Sequence, residues 1–214
     1  MITVYGEGRG FRVVWLLEEM GLPYRLRDVD MLAGVENDPE FLAINPAGFI
    51  PAIDDGGTIM VESIAILEYL MARHGPTSLA LGPSDPGFAP YLQFLHLGEA
   101  SLATPVNTAV AAIILAPEGE KDNWSCRWSV ALFEKRLKLV SRQLARAPYM
   151  AGEAFTAADI SITYALEFAQ RAIGYALAAP ERDYVARTTA RDGYKRALDN
   201  CPATKGWVES LAAV

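Results

Sequence analysis

Asn45-Pro46-Ala47-Gly48-Phe49-Ile50-Pro51-Ala52-Ile53-Asp54-Asp55-Gly56-Gly57 sets a proline inside a short run of strand-forming apolar residues. Pro51 removes a backbone donor and would interrupt a central strand. A cis Ile50–Pro51 bond at the start of the strand resolves that conflict, and the bend turns the backbone N–H and C=O groups near Ile50 outward, toward an extended peptide-like ligand. Asp54-Asp55-Gly56-Gly57 is a hairpin signal between Ile50–Ile53 and Thr58–Val61. Glu62 and Ser63 then open a helix running to about His74, at whose start unpaired N–H groups attract a carboxylate. An ordinary strand, hairpin and capped helix accounts for the same residues structurally.

Upstream, Ile2–Tyr5 is a β-branched and aromatic run that reads as a strand. Gly6, Gly8 and Gly10 mark a loop, an amphipathic helix follows from about Phe11 to Met20, and Tyr24–Val29 alternates as a second strand. Strand, helix, strand places the two strands side by side and parallel. A short helix follows, with Asp38 as its cap and Pro39 at its first position. These elements predict a small mixed sheet of four strands flanked by helices.

Downstream the periodicity becomes helical. Gly75–Pro90 is rich in glycine and proline. The chain is therefore expected to divide into an α/β unit over residues 1–76, a linker over 77–87 and an all-helical domain over 88–214. Tyr91–Ile114 reads as one long helix that Pro105 should bend or break. A helix from Trp124 or Ser125 reaches about Arg146, with Val130, Phe133, Leu137 and Val140 on one face. Thr156-Ala157-Ala158-Asp159 predicts a capping box, with Phe155 and Ile160 as the flanking apolar pair. Glu181–Leu198 reads as a polar amphipathic helix with a break, and Pro202 precedes a final short helix.

Composition bounds the function. The 214 residues are 51% apolar and 21% charged, with a net charge of −7. All of that net charge falls in residues 1–80, which argues against a surface that tracks nucleic acid. No apolar run reaches membrane-spanning length, and the absence of a basic leader predicts a cytoplasmic protein. Cys126 and Cys201 lie far apart with no partner motif, and with only two histidines besides, a metal site is not expected.

The order of elements, the Asn-Pro-x-Gly-x-x-Pro-Ala-Ile run at Asn45–Ile53, Glu62-Ser63 with the helix after it, and Phe155-Thr156-Ala157-Ala158-Asp159-Ile160 resemble the soluble glutathione transferase superfamily. Trp15-Leu16-Leu17-Glu18-Glu19-Met20-Gly21-Leu22-Pro23-Tyr24 points within it toward a bacterial theta- or beta-like branch. The resemblance implies a thioredoxin-like N-terminal domain that binds glutathione, an all-α C-terminal domain that supplies a pocket for a hydrophobic substrate, and a homodimer. It also implies that Pro51 is the cis proline and that the Ile50 backbone pairs with the cysteinyl part of glutathione. Glu62 and Ser63 then hold the γ-glutamyl amine and carboxylate. The implied activity is transfer of the glutathione sulfur, as thiolate, to a hydrophobic electrophile. A glutathione-dependent disulfide reductase and a non-catalytic glutathione- or hydrophobic-ligand-binding protein are the alternatives.

The pattern is broken at one point. In serine-using branches the hydroxyl that faces sulfur lies four positions before an arginine matched here by Arg12, and that position is Gly8. Gly10 is equally bare, and no cysteine precedes Cys126. Tyr5 is the remaining hydroxyl, either a donor to sulfur or a half-buried aromatic at a strand end. Arg9 is either a thiolate partner or a loop charge paired with Glu7. The N–H groups of Gly10 and Phe11, at the start of the first helix, are expected to help. Phe11, Leu102, Pro105, Val106, Trp124, Tyr164 and Phe168 are the apolar residues expected around the second substrate.

Overall fold

The computed structural model describes residues 1–31 and 33–212. By their internal contacts these residues form two compact units, one of Met1–Thr77 with the segment from Ala190 onward and one of Ser78–Thr189.

The first unit is built on a four-stranded mixed sheet in the order β2-β1-β3-β4. Strand β1 (Ile2–Tyr5) runs parallel to β2 (Tyr24–Arg27) and antiparallel to β3 (Ala52–Asp55), which forms a hairpin with β4 (Thr58–Val61). Helix α1 (Phe11–Met20) makes the crossover between β1 and β2. Its first seven residues, Phe11–Leu17, are all buried, so this helix is the centre of the unit rather than a half-exposed cover. Gly21 closes it at φ 65, the left-handed conformation that glycine adopts without a Cβ penalty. Helix α2 (Pro39–Ile44) starts as its sequence predicts, with the Asp38 carboxylate accepting from Phe41 N–H at 2.9 Å. Arg27 grips the same carboxylate through two bonds of 2.9 and 2.8 Å, which, with the Phe41 N–H, hold it below the usual carboxylate range. Helix α3 (Ser63–His74) completes the thioredoxin-like pattern.

In the second unit, α4 (Phe88–Leu97) and α5 (Thr104–Leu115) are joined by a π-helical stretch, Gly98–Ala103. Pro105 does not break the run, which stays helical from Phe88 to Leu115. It falls in the first turn of α5, where its missing N–H costs least, and the wide turn before it absorbs the irregularity. Helix α6 (Trp124–Leu144) is capped by the Asn123 side chain, which accepts from Cys126 N–H at 2.9 Å. Helix α7 (Ala157–Ile173) is buried along Ala157–Ala169, and the capping box forms between Thr156 and Asp159. The Asp159 carboxylate accepts from the Thr156 N–H and hydroxyl, the Met150 N–H and the Tyr184 hydroxyl; burial lifts its carboxyl to about 6 against those four hydrogen bonds.

The expected helix over Glu181–Leu198 is two, α8 (Ala179–Thr189) and α9 (Asp192–Asn200), followed by α10 (Pro202–Ala212). The sequence reading places α9 and α10 in the 88–214 domain, whereas they group with the first unit. The reason is packing on α1. Tyr194 meets the rings of Phe11 and Trp15 edge-on at 5.4 and 4.9 Å, and Arg191 grips Glu19 through bonds of 2.8 and 2.7 Å. No helix among the described residues is long and apolar enough to cross a membrane.

Candidate functional site

Strand register brings three connections together at one end of the sheet. Tyr5 pairs with Ala52, and Ala52 with Val61. The next residue outward on each chain is Gly6, Pro51 and Glu62. The loop after β1, the proline turn before β3 and the start of α3 therefore converge on one rung.

The Ile50–Pro51 bond is cis. Asn45 is 3% exposed and ties the turn that leads there. Its amide donates to Phe49 O at 2.7 Å, and its carbonyl accepts from Ala47 N–H at 3.1 Å. An Asn-Pro-x-Gly run after a short helix carries that signal, since asparagine makes such local bonds readily. The glycine loop folds over the proline turn. Gly6 stands at φ 81, and a Cβ there would collide with the Ile50 side chain. Cβ atoms on Gly8 and Gly10 would touch Ile50 and Pro51 at 3.5 and 3.4 Å. Glycine at Gly6 is thus a condition for the loop lying against Ile50, whereas the contacts at Gly8 and Gly10 are ordinary van der Waals ones.

Glu62 has φ 70 and ψ 102, the single non-glycine positive φ among the described residues. A side chain held in that region, at the head of a twelve-residue helix, marks a place where the surroundings impose the backbone conformation. Glu62 is exposed and Ser63 is 3% exposed, and no side chain caps α3. The helix start therefore offers N–H donors beside a hydroxyl and a carboxylate. That combination suits a ligand bearing both an ammonium and a carboxylate.

Tyr5 sits in an apolar cluster with Val29, Phe41, Ala52 and Ile50, its ring 6.2 Å from that of Phe41 and the Arg27 guanidinium 5.8 Å above it. Arg9 is half-buried in a three-residue 3-10 turn, Gly8–Gly10, that runs straight into α1. This turn changes the donor inventory. Gly10 N–H donates to Glu7 O at 2.8 Å, and Phe11 N–H donates to Gly8 O. The two amides expected to face a ligand are spent inside the turn, and the helical run is headed by Gly8 and Arg9. The Glu7 carboxylate accepts from the first turn of α10. No sequence signal announces a partner nearly two hundred residues away.

Of the apolar residues expected around a second substrate, Phe11 is core of the first unit, against Trp15 and Tyr194. Leu102, Val106, Tyr164 and Phe168 are buried, whereas Trp124 is 67% exposed and stacks on Trp128. A separate cleft of about 470 Å³ is lined by Glu18, Leu22, Pro23, Tyr24, Leu26 and Asn200. The Glu18 carboxylate in it accepts from Tyr24, Arg196 and Asn200.

Comparison with known proteins bears on this arrangement. Residues 10–73 match the family model described as the glutathione S-transferase N-terminal domain, which spans α1 through most of α3. Glutathione S-transferase 3 of Schizosaccharomyces pombe is 31% identical over 179 residues, covering 76% of this chain and 71% of the relative. The chain belongs to the glutathione S-transferase family. Glutathione S-transferase 3 of Zea mays is 29% identical over 204 residues, with 94% of this chain and 83% of the relative aligned. The glutathione transferase URE2P6 of Phanerochaete chrysosporium, solved with oxidized glutathione, superposes with a TM-score of 0.81 at 22% identity, over 94% of this chain and 96% of that one. In this glutathione S-transferase family member, Ile50, Pro51, Glu62 and Ser63 share one end of the sheet with the glycine loop. Relatives from a plant and a yeast do not single out the bacterial branch.

Proposed function

We propose that this chain is a glutathione transferase that binds glutathione along Ile50–Pro51 and at Glu62–Ser63, and adds its sulfur as thiolate to a hydrophobic electrophile. The observation that carries the reading is the backbone of Glu62. Its positive φ, on the rung beside the cis Pro51, fixes a carboxylate and a buried hydroxyl at the head of α3. The γ-glutamyl ammonium pairs with the Glu62 carboxylate, and the γ-glutamyl carboxylate takes the Ser63 hydroxyl and the first N–H groups of α3. The cysteinyl amide pairs with the Ile50 backbone, which leaves the sulfur toward the Gly8–Arg9 end of the glycine loop.

Thiolate formation then rests on electrostatics rather than on a side-chain base. The positive end of the 3-10 turn and α1, with the Arg9 guanidinium, lowers the thiol pKa so that nucleophile is present near neutrality. Tyr5, packed under Arg27 and against Phe41, acts as a wall of the site. Attack forms the carbon–sulfur bond and expels the electrophile's leaving group, or opens its ring. The Trp15–Tyr24 stretch supports a theta- or beta-like branch, and a homodimer in the cytoplasm completes the reading.

The test is a substrate panel run with glutathione: an aryl halide, an epoxide and a small mixed disulfide. Conjugation of either electrophile, lost in Glu62→Gln and Ser63→Ala, supports transfer. Turnover of the disulfide alone identifies a reductase. Saturable glutathione binding with no turnover and an unshifted thiol identifies a binding protein.

A further inference from the structure

The residue immediately before the glycine turn is itself an acid. Glu7 occupies the capping position of the Gly8–Gly10 turn, where a carboxylate ordinarily swings onto the first N–H groups. It makes no such bond. Instead its side chain is drawn away from the turn, buried to 5% exposure, and accepts from Thr204 N–H at 2.8 Å, Thr204 Oγ1 at 3.1 Å and Ala203 N–H at 3.3 Å. Ala203 and Thr204 lie in the first turn of α10, so the carboxylate rests on the positive end of a different helix. Cys201, just ahead of that helix, has its thiol pushed up by burial and then by the Glu7 carboxylate. The Glu7 charge is therefore felt by a sulfur in its own surroundings.

We propose that the start of α10 is a holding site for Glu7, which keeps the chain's own anion off the head of the Gly8–Met20 helical run and reserves that position for the glutathione sulfur. Glu7 and Thr204 are thus positioning residues for the thiolate, acting through the donors that Glu7 is kept from occupying. The inference rests on the reading that the sulfur sits at this turn. It gives the C-terminal segment a part in thiol activation, because a carboxylate released from α10 would both occupy the donors and repel a thiolate.

The experiment is a pH titration of the thiolate absorbance of glutathione bound to the full-length protein. Thr204→Val removes one of the three bonds that hold Glu7. Ala203→Asp places a second carboxylate on the same helix start, at an exposed position where an acid favours helix formation, so it carries the test even if the valine variant does not fold. Both are expected to raise the bound thiol pKa by about half a unit or more toward the free value. Glu7→Gln added to either background is expected to return it to the wild-type value, because an amide carries no charge. Thr204→Ser is expected to behave as wild type. Cap variants that bind glutathione with an unmoved thiol pKa, or a rise that Glu7→Gln does not reverse, overturn the inference while a depressed wild-type value leaves the functional reading standing. A wild-type protein that takes up no glutathione, or leaves its thiol at the free value, overturns both.

Discussion

At the scale of single residues, the site depends on positions where one atom more or one charge less is decisive. Gly6 combines φ 81 with a Cβ position that runs into Ile50. Gly6→Ala is therefore expected to destabilise the fold by about 2 kcal/mol or more, read from urea unfolding, and to weaken glutathione binding with it. Gly21→Ala, at φ 65 with nothing near its Cβ, carries the backbone strain alone and is expected to cost less. Equal losses in the two would show that contact with Ile50 does not matter. Glu62→Gln and Ser63→Ala are expected to weaken glutathione binding by roughly tenfold or more each, as loss of a hydrogen bond to a charged group does. Calorimetry measures this, and affinities within twofold of wild type would remove Glu62 and Ser63 from the site. The residue types were legible before the structure: a proline in a strand, an acid–hydroxyl pair at a helix start. The backbone twist of Glu62 was not, because its side chain carries no local preference for positive φ.

At the scale of elements, the sheet end and the helix that rises from it are braced at their far sides. Asp55, last in β3, accepts from His74 at 2.7 Å and Tyr69 at 3.0 Å, both on α3. Burial pushes the Asp55 carboxyl up, but those bonds, with the positive His74 and N-terminal amine, outweigh it and hold it below its ordinary value. A carboxyl depressed in the fold stabilises it above the unfolded pKa of 3.8, and that contribution is lost as pH falls through the folded value. Asp55→Asn is therefore expected to narrow the stability gap to wild type as pH drops below about 4 in chemical unfolding. A gap that stays constant from neutrality to pH 3 would contradict the assignment. The elements themselves were largely readable, from the hairpin glycines to the Thr156–Asp159 box. The Gly8–Gly10 turn was not, since three glycine-spaced residues have no periodicity, and with it went the expectation that the Gly10 and Phe11 amides face a ligand. The π-helical stretch before Pro105 was hidden for the same reason: hydrophobic spacing does not report a one-residue change in hydrogen-bond reach.

At the scale of the whole chain, the end returns to the beginning. Tyr194, Arg191 and Glu7 tie α9 and α10 to α1 and the glycine loop, across sequence separations that no local pattern encodes. The polar face of the 181–198 stretch was visible, but not which surface its apolar face would cover. Tyr194→Ala is expected to destabilise the first unit by about 3–5 kcal/mol, as loss of a buried aromatic does, and to lower glutathione affinity through Phe11 and the adjoining loop. A midpoint of urea unfolding unchanged from wild type would show that the C-terminal helices contribute little there. What all three scales converge on is a thiol activated by the head of a helical run. The most direct measurement is the pH dependence of thiolate absorbance for glutathione bound to the wild-type protein. Ionisation at least about one unit below the free thiol is the predicted result; ionisation at the free-thiol value, or no uptake at millimolar glutathione, would contradict it.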